Sequence, residues 1–242
     1  MMSAIEGERN SLTSFVSFEV DRDDDSLHVL EAHGRSSVLL FKSLVSEKFG
    51  LRSNGTIGDV KLWFAPRTVG GMPLISIGEI ELRGDIPLSI IRERIMDFSR
   101  KSEWDPEFLT AKEIRSTEID DSTRIRTCWS ACKSKPGIAG RDFVYHAFSV
   151  LDSDSWIVVS WSADLDETPK EFAPKVESAV HVRAKLILGG FYVRKKADKW
   201  LMSYVNQAEI GLSSWLTDPV LKKNPCLLNN LKSIVEKECG VK

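Results

Sequence analysis

The apolar positions of this chain follow two periods, and the change from one to the other organises it. Near the C-terminal end, Trp200-Leu-Met-Ser-Tyr204-Val-Asn206 reads as a strand and breaks at Gly211 and Ser213-Ser214. Helical spacing then begins: Leu216 and Val220 are four apart, and Leu227, Leu231 and Ile234 or Val235 recur at three and four. Lys222, Lys223, Lys232 and Lys237 fall largely between them, where they suit the C-terminal end of the helix dipole. Pro219 fits a first turn, and Pro225 is expected to kink the helix or to start its second half. The pattern predicts a terminal amphipathic helix with one apolar face and no later helix to cover it.

Upstream, residues 1–32 read as a weakly structured extension, with a solvated acidic cluster at Asp21 and Asp23 to Asp25. A helix is predicted from Gly34 to Phe49, capped by Ser36 or Ser37, with Leu39, Leu40, Leu44, Val45 and Phe49 on its apolar side. Runs at 60–64 and 74–82 flank Gly70-Gly71 and predict a hairpin. Asp85-Ile-Pro87 opens a helix carrying Leu88, Ile91, Ile95 and Phe98 on one side, which stops near Trp104-Asp105-Pro106. Strands follow at 111–117, 123–131, 141–150, 156–162, 179–188 and 200–207. Asp120-Asp121, Asp152-Ser-Asp154 and Gly189-Gly190 read as turns of an antiparallel meander. Longer loops are expected at 132–140 and at 163–178, the latter with Pro169 and Pro174.

This order predicts an α+β fold in which a strongly curved antiparallel sheet wraps one long C-terminal helix. One helix face is narrow beside a curved sheet of about seven to nine strands, and wide closed sheets often leave space on the concave side. Val180, Val182, Ala184, Leu186 and Leu188 form one apolar phase, and Phe143, Tyr145 and Ala147 another. Such phases pack directly on the helix or line a hollow between helix and sheet; periodicity alone leaves both open.

Composition narrows the function. A net charge of −2 argues against a phosphate-backbone binder. No apolar run is long enough to span a bilayer, and the first residues lack the basic-then-apolar order of a signal peptide. Cysteines at 128, 132, 226 and 239 follow neither a disulfide nor a zinc pattern and read as reduced thiols of a cytoplasmic protein. Histidines at 28, 33, 146 and 181 have no ligand spacing, Ser162 has no histidine near it in sequence, and neither Gly-Gly pair sits in a phosphate loop. No enzyme, cofactor or metal is therefore expected.

Several segments in a particular order carry a family resemblance: Trp104-Asp105 after an amphipathic helix; Pro136-Gly-Ile-Ala-Gly140-Arg141-Asp142-Phe-Val144; Ser160-Trp-Ser162; a Pro-bearing loop with Val182-Arg183; Gly189-Gly190; Tyr204; and a polar turn ending in Trp215. From Gly34 to Lys237 the chain resembles the START family, the StAR-related lipid-transfer domains. The resemblance implies a helix-grip fold over residues 33–242 with an internal hydrophobic tunnel for one lipid. It implies a gate formed by loop 132–140 and the start of the last helix, 212–220. Ile138 and Trp215 would be the apolar tips that meet a membrane, with Lys133 and Lys135 beside them for anionic headgroups at about 1 kcal/mol per charge.

The lipid contacts expected on this basis are Tyr145, Trp129, Arg183, Tyr204, Asn206, Trp215, Leu216 and Val220. Arg183 is also read as simply outward-facing. Arg141-Asp142 is read as a structural ion pair or turn clamp, and Trp104 as packing. In strand 123–131, alternation favours Ile125 and Trp129 inward, whereas the resemblance favours Cys128 and Ser130. Sterol-handling relatives carry a facing acid and arginine where this chain has Cys128 and Ala147. That departure and the wording Arg-Asp-Phe-Val-Tyr145 lean toward a phospholipid. The expected partners are thus one lipid and, transiently, a membrane surface, with the protein a monomer that binds no nucleic acid. The alternatives are a lipid-responsive sensor that transfers poorly, or a helix-grip enzyme.

Overall fold

One ten-stranded sheet carries the fold. The structure is a computed structural model that describes residues 27–48, 50–66, 73–83, 85–163 and 181–240. In chain order the elements are α1 (Leu27–Glu47), β1 (Arg52–Ile57), β2 (Val60–Ala65), β3 (Ile75–Leu82), α2 (Leu88–Met96), β4 (Phe108–Asp120), β5 (Thr123–Cys132), β6 (Gly140–Leu151), β7 (Ser155–Ser162), β8 (His181–Arg183), β9 (Lys185–Lys196), β10 (Lys199–Glu209), α3 (Ser214–Lys223) and α4 (Leu227–Glu238). Nine strands run side by side in the order β1-β2-β3-β10-β9-β7-β6-β5-β4, and β8 pairs with β6 off that path. A 3-10 turn, Phe98–Glu103, joins α2 to β4, and a second, Asn224–Cys226, joins α3 to α4 where Pro225 stands. The extension at residues 1–26, Phe49, the turn at Gly70-Gly71, and most of the loop expected at 163–178 lie outside the described residues, as do Ala179 and Val180.

The sheet is covered on both faces, and this explains most of its sequence. On one face α4 buries Leu227, Leu228, Leu231 and Val235 against Leu62, Ile80, Leu82, Trp156, Val193 and Met202. On the other, α1 buries Leu30, Val38, Phe41, Leu44 and Val45 against Ile77, Ile125, Phe148, Ile157, Val159 and Val205. Central strands are therefore apolar in both phases; β7 reads Trp156-Ile-Val-Val159, all buried. The expected helix and sheet stand, and the architecture is the α+β helix-grip arrangement.

Several expectations change. Helix α1 begins at Leu27, ahead of the expected start at Gly34. Gly34 lies inside it, where a Cβ would come within 2.4 Å of the Phe148 ring. Ser36 donates to the Ala32 carbonyl within the helix, so it is no cap. Gly189-Gly190 is not a turn: β9 runs through it, and at Gly190 (φ 142°) a Cβ would lie 2.0 Å from the Val158 carbonyl oxygen. The strand expected at 179–188 is two, because β8 pairs in parallel with the start of β6, Gly140 opposite His181, before β9 joins β7 and β10. A bulge at Gln207/Ala208 then shifts the register of β9 between Leu186 and Leu188. Leu186 turns to the α4 side and Leu188 to the α1 side, so they do not share a face.

Candidate functional site

Between the concave face and α3–α4 lies a cavity of about 340 Å³. Its volume falls within the roughly 300–1,000 Å³ common for small-molecule sites. Alternation on β5 brings Arg126, Cys128, Ser130 and Cys132 to its wall, and alternation on β6 brings Arg141, Phe143, Tyr145 and Ala147. The middle strands add Val158, Leu186, Phe191, Tyr204 and Asn206, and α3 with the start of α4 adds Thr217, Val220, Leu221 and Leu227. Most of the surface is therefore hydrocarbon or aromatic ring, interrupted by a few polar groups.

Those polar groups are held in defined states. Burial pushes the Cys128 and Cys132 thiols up to about 11, so both remain protonated at neutral pH. Burial likewise raises the Tyr145 and Tyr204 phenols above their usual range, leaving neutral hydroxyls to donate or accept. The Tyr204 hydroxyl accepts from Asn224 Nδ2 at 3.4 Å. Asp105 also lines the cavity, and burial lifts its carboxyl above the ordinary value. Trp104 beside it is fully buried, donates its indole N–H to the Arg94 carbonyl and sets its ring edge-on to Phe191.

One end of the cavity is lined by chain segments instead of strands. Loop 132–140 is pinched by reciprocal backbone bonds between Lys135 and Ile138. Arg141 ties it down: its Nε donates to the Ile210 carbonyl at 2.6 Å, and its Nη1 to the Ala139 carbonyl at 2.5 Å. Ile138, Val220 and Leu212 line the cavity here, and Val220 is 54% exposed. Lys133 reaches the Pro106 carbonyl and Lys135 pairs with Glu107 at 3.0 Å. Trp215, on the first turn of α3, is 74% exposed and does not line the cavity. The side chain of Leu216 lies outside the described residues.

The expected contacts thus divide. Tyr145, Tyr204, Asn206 and Val220 come together around the cavity, with Ile138, Lys133 and Lys135 at its end. Trp129 and Arg183 do not join them. Both sit on the opposite face of the sheet, where the Trp129 indole N–H donates to Asp142 Oδ2 at 3.0 Å and the Arg183 fork grips both oxygens of the same carboxylate. Asp142 pairs with Arg183 and not with Arg141, so the two neighbours Arg141 and Asp142 clamp different faces. The misreading of Trp129 has a local cause: the outer face of β5 is occupied too, by Ile125 in the α1 cluster and Trp129 on Asp142, so alternation no longer marks the cavity side. Arg126, Asp105, Lys101 and Phe191 were missed as lining residues. Arg126 shares the phase of Cys128 and Ser130, which was the available signal.

No protein-family model matches the chain. Among solved structures, the human StAR-related lipid transfer protein 5 superposes with a TM-score of 0.71 at 15% identity, covering 87% of this chain and 98% of that one. Human STARD10 gives 0.69 at 14% identity over 92% of this chain and 84% of that one. This chain has the START fold. The lipid transfer and protein localization domain of human StarD13 (DLC2) shares that fold at a TM-score of 0.59, with 17% identity over 81% of this chain and 94% of that one. A curated protein also matches the START-fold chain: an acetyl-coenzyme A thioesterase from Rattus norvegicus, 24% identical over 176 residues. The chain aligns over 71% of its own length and spans 29% of that enzyme. This match to an enzyme overturns the expectation that the chain is not one. Among the described residues, no helix is long and apolar enough to cross a membrane.

Proposed function

We propose that the chain binds a single acyl lipid in the cavity between the sheet and its last two helices, and carries it between membranes. The observation that supports this best is the apolar hollow of about 340 Å³, placed between sheet and helices and lined at one end by short segments. Each methylene removed from water is worth about 0.8 kcal/mol, so a ~16-carbon chain exposed during transit would cost on the order of 12 kcal/mol. A hollow that covers most of the chain offsets most of that cost, and opening against a bilayer moves the chain from one apolar medium to another. Loop 132–140 and segment 212–220 serve as the gate, with Ile138 and Trp215 entering the interface and Lys133 and Lys135 exchanging their present partners for headgroups. Tyr145, Tyr204 and Asn206 supply the polar contacts. Uncharged Cys128 and Ala147 on the wall favour a phospholipid over a sterol. We place this work in the cytoplasm, in keeping with four free thiols, and assign it to a monomer.

Native mass spectrometry of the purified chain tests the reading directly. One bound lipid per chain is expected; a ligand-free protein that also fails to take lipid from vesicles would refute it. Intervesicle transfer then separates a carrier from a sensor, which binds but moves lipid poorly. The thioesterase match favours a second reading, in which the chain contributes to hydrolysis of an acyl-coenzyme A thioester. Saturable release of free coenzyme A thiol from acetyl-coenzyme A by the full chain, lost on heating, would support it.

A further inference from the structure

Arg126 is the unusual group of the cavity. It lies near the start of β5, and Cys132 at the gate is six residues further along the same strand, about 20 Å away at ~3.3 Å per residue. Its guanidinium is held from outside and from below. Nη1 donates to Glu113 Oε2 at 2.8 Å across the β4–β5 pair, and the cation lies over the Phe98 ring at 5.6 Å. Among the described residues, the other edge of the fork meets no oxygen. Nη2 meets only the Met96 thioether at 3.2 Å, and Nε is buried with no acceptor among the described residues. A thioether is a weak acceptor on a flexible side chain, and a buried N–H without one costs about 1–3 kcal/mol.

The Nε–Nη2 edge of an arginine presents two parallel N–H groups at the spacing of two oxygens on one carboxylate or phosphate. The cavity taken whole carries more cations than carboxylates, although Lys133, Lys135 and Arg141 stand toward its other end. Lys101, Lys133, Lys135, Arg126 and Arg141 line the cavity against the carboxylates of Asp105 and Glu107. Met96 and Phe98 flank the same corner with apolar surface suited to the first carbons of a chain. Given the lipid cavity proposed above, we infer that its occupant ends in an anionic oxygen pair, a carboxylate or a phosphate, seated on the Nε–Nη2 edge of Arg126, with its hydrocarbon running toward the gate. Met96 turns aside, Arg126 keeps Glu113 on its other edge, and the orphaned N–H gains an acceptor.

Paired ligands test this on the delipidated full chain. Oleate and oleyl alcohol share one chain and differ at its end; phosphatidic acid and diacylglycerol repeat the contrast with a phosphate. Calorimetry should show an anionic lipid binding at least about tenfold more tightly than its neutral counterpart, the scale of one charge-assisted bond. Preference within the first pair alone assigns a fatty acid, and within the second alone a phospholipid. Arg126→Gln should narrow the preference to less than about twofold, and Arg126→Lys, which keeps the charge but loses the fork, should fall between. Should Arg126→Gln fail to fold, Glu113→Gln on the half-exposed edge strand replaces it, and anion affinity should rise once the competing carboxylate is gone. Equal binding of charged and neutral lipids, a preference that survives Arg126→Gln, or no gain in Glu113→Gln would overturn the inference while leaving the lipid cavity standing. Failure of all four lipids to bind would remove both.

Discussion

Asp142 carries three hydrogen bonds on a carboxylate that is 1% exposed: one from the Trp129 indole and two from the Arg183 fork. It joins β5, β6 and β8 on the face away from the cavity. Replacing it with alanine takes from a largely buried guanidinium and an indole N–H the carboxylate they share. Breaking a buried pair costs about 3–5 kcal/mol, and Arg183 retains 18% exposure, so Asp142→Ala should lose about 3 kcal/mol in urea unfolding. An effect below about 1 kcal/mol would show that water replaces the carboxylate freely. His33 makes the second residue-scale case. Its ring is tilted 44° to that of Trp161 with centroids 4.5 Å apart, and burial holds its pKa below the ordinary 6.5. Below pH 6.5 the unfolded chain binds the proton more readily than the folded one. Stability should therefore fall as the pH drops from 6.5 through the lowered folded value, and His33→Gln should remove that part of the slope. An unchanged slope would place the acid sensitivity elsewhere.

At the scale of elements, legibility in the sequence tracks how many faces each element buries. Helices α2 and α4 bury one face, so their spacing was readable. Strand β1 was missed because Arg52–Ile57 carries no apolar alternation; it is an edge strand with five of its six residues exposed. Helix α1 was started too late because Gly34 resembles a boundary, whereas it is a notch for Phe148. The cavity side of β5 was unreadable because Ile125 and Trp129 make its far side equally apolar, and the paired Cys128 and Tyr145 carry no sign of depth in their spacing. The proposed gate, by contrast, coincides with a distinct element: α3 opens with an exposed tryptophan in front of a buried Thr217. Because Trp215 contributes little to the core, Trp215→Ala should change stability by no more than about 0.5 kcal/mol. If the indole anchors the open gate in a bilayer, the same substitution should slow intervesicle transfer severalfold. Parallel loss of stability and transfer would make Trp215 a structural residue instead.

For the whole molecule, the last strand is the keystone of the topology. β10 enters between β3 and β9, pairing Trp200 with Leu82 on one side and Lys195 on the other, so the two halves of the sheet join only when the end of the chain arrives. The helices that follow it then close the hollow, and the same 3-10 turn that carries Pro225 brings Asn224 to Tyr204. Closing the sheet and forming the site are therefore one event, and an occupant of the cavity bears on the stability of the entire fold. A ligand that binds only the folded chain contributes about 2.7 kcal/mol when present at a hundred times its Kd. For a domain of this size each kcal/mol moves Tm by about 2–4 °C, so delipidated protein should melt roughly 5–10 °C below the lipid-loaded form. Returning an acyl lipid from vesicles should restore the difference, and substitution of Ala147 by phenylalanine, which places a ring in the cavity, should abolish the response to lipid while the empty protein still melts cooperatively. A Tm indifferent to lipid in the unaltered chain would mean that the hollow is not where lipid binds.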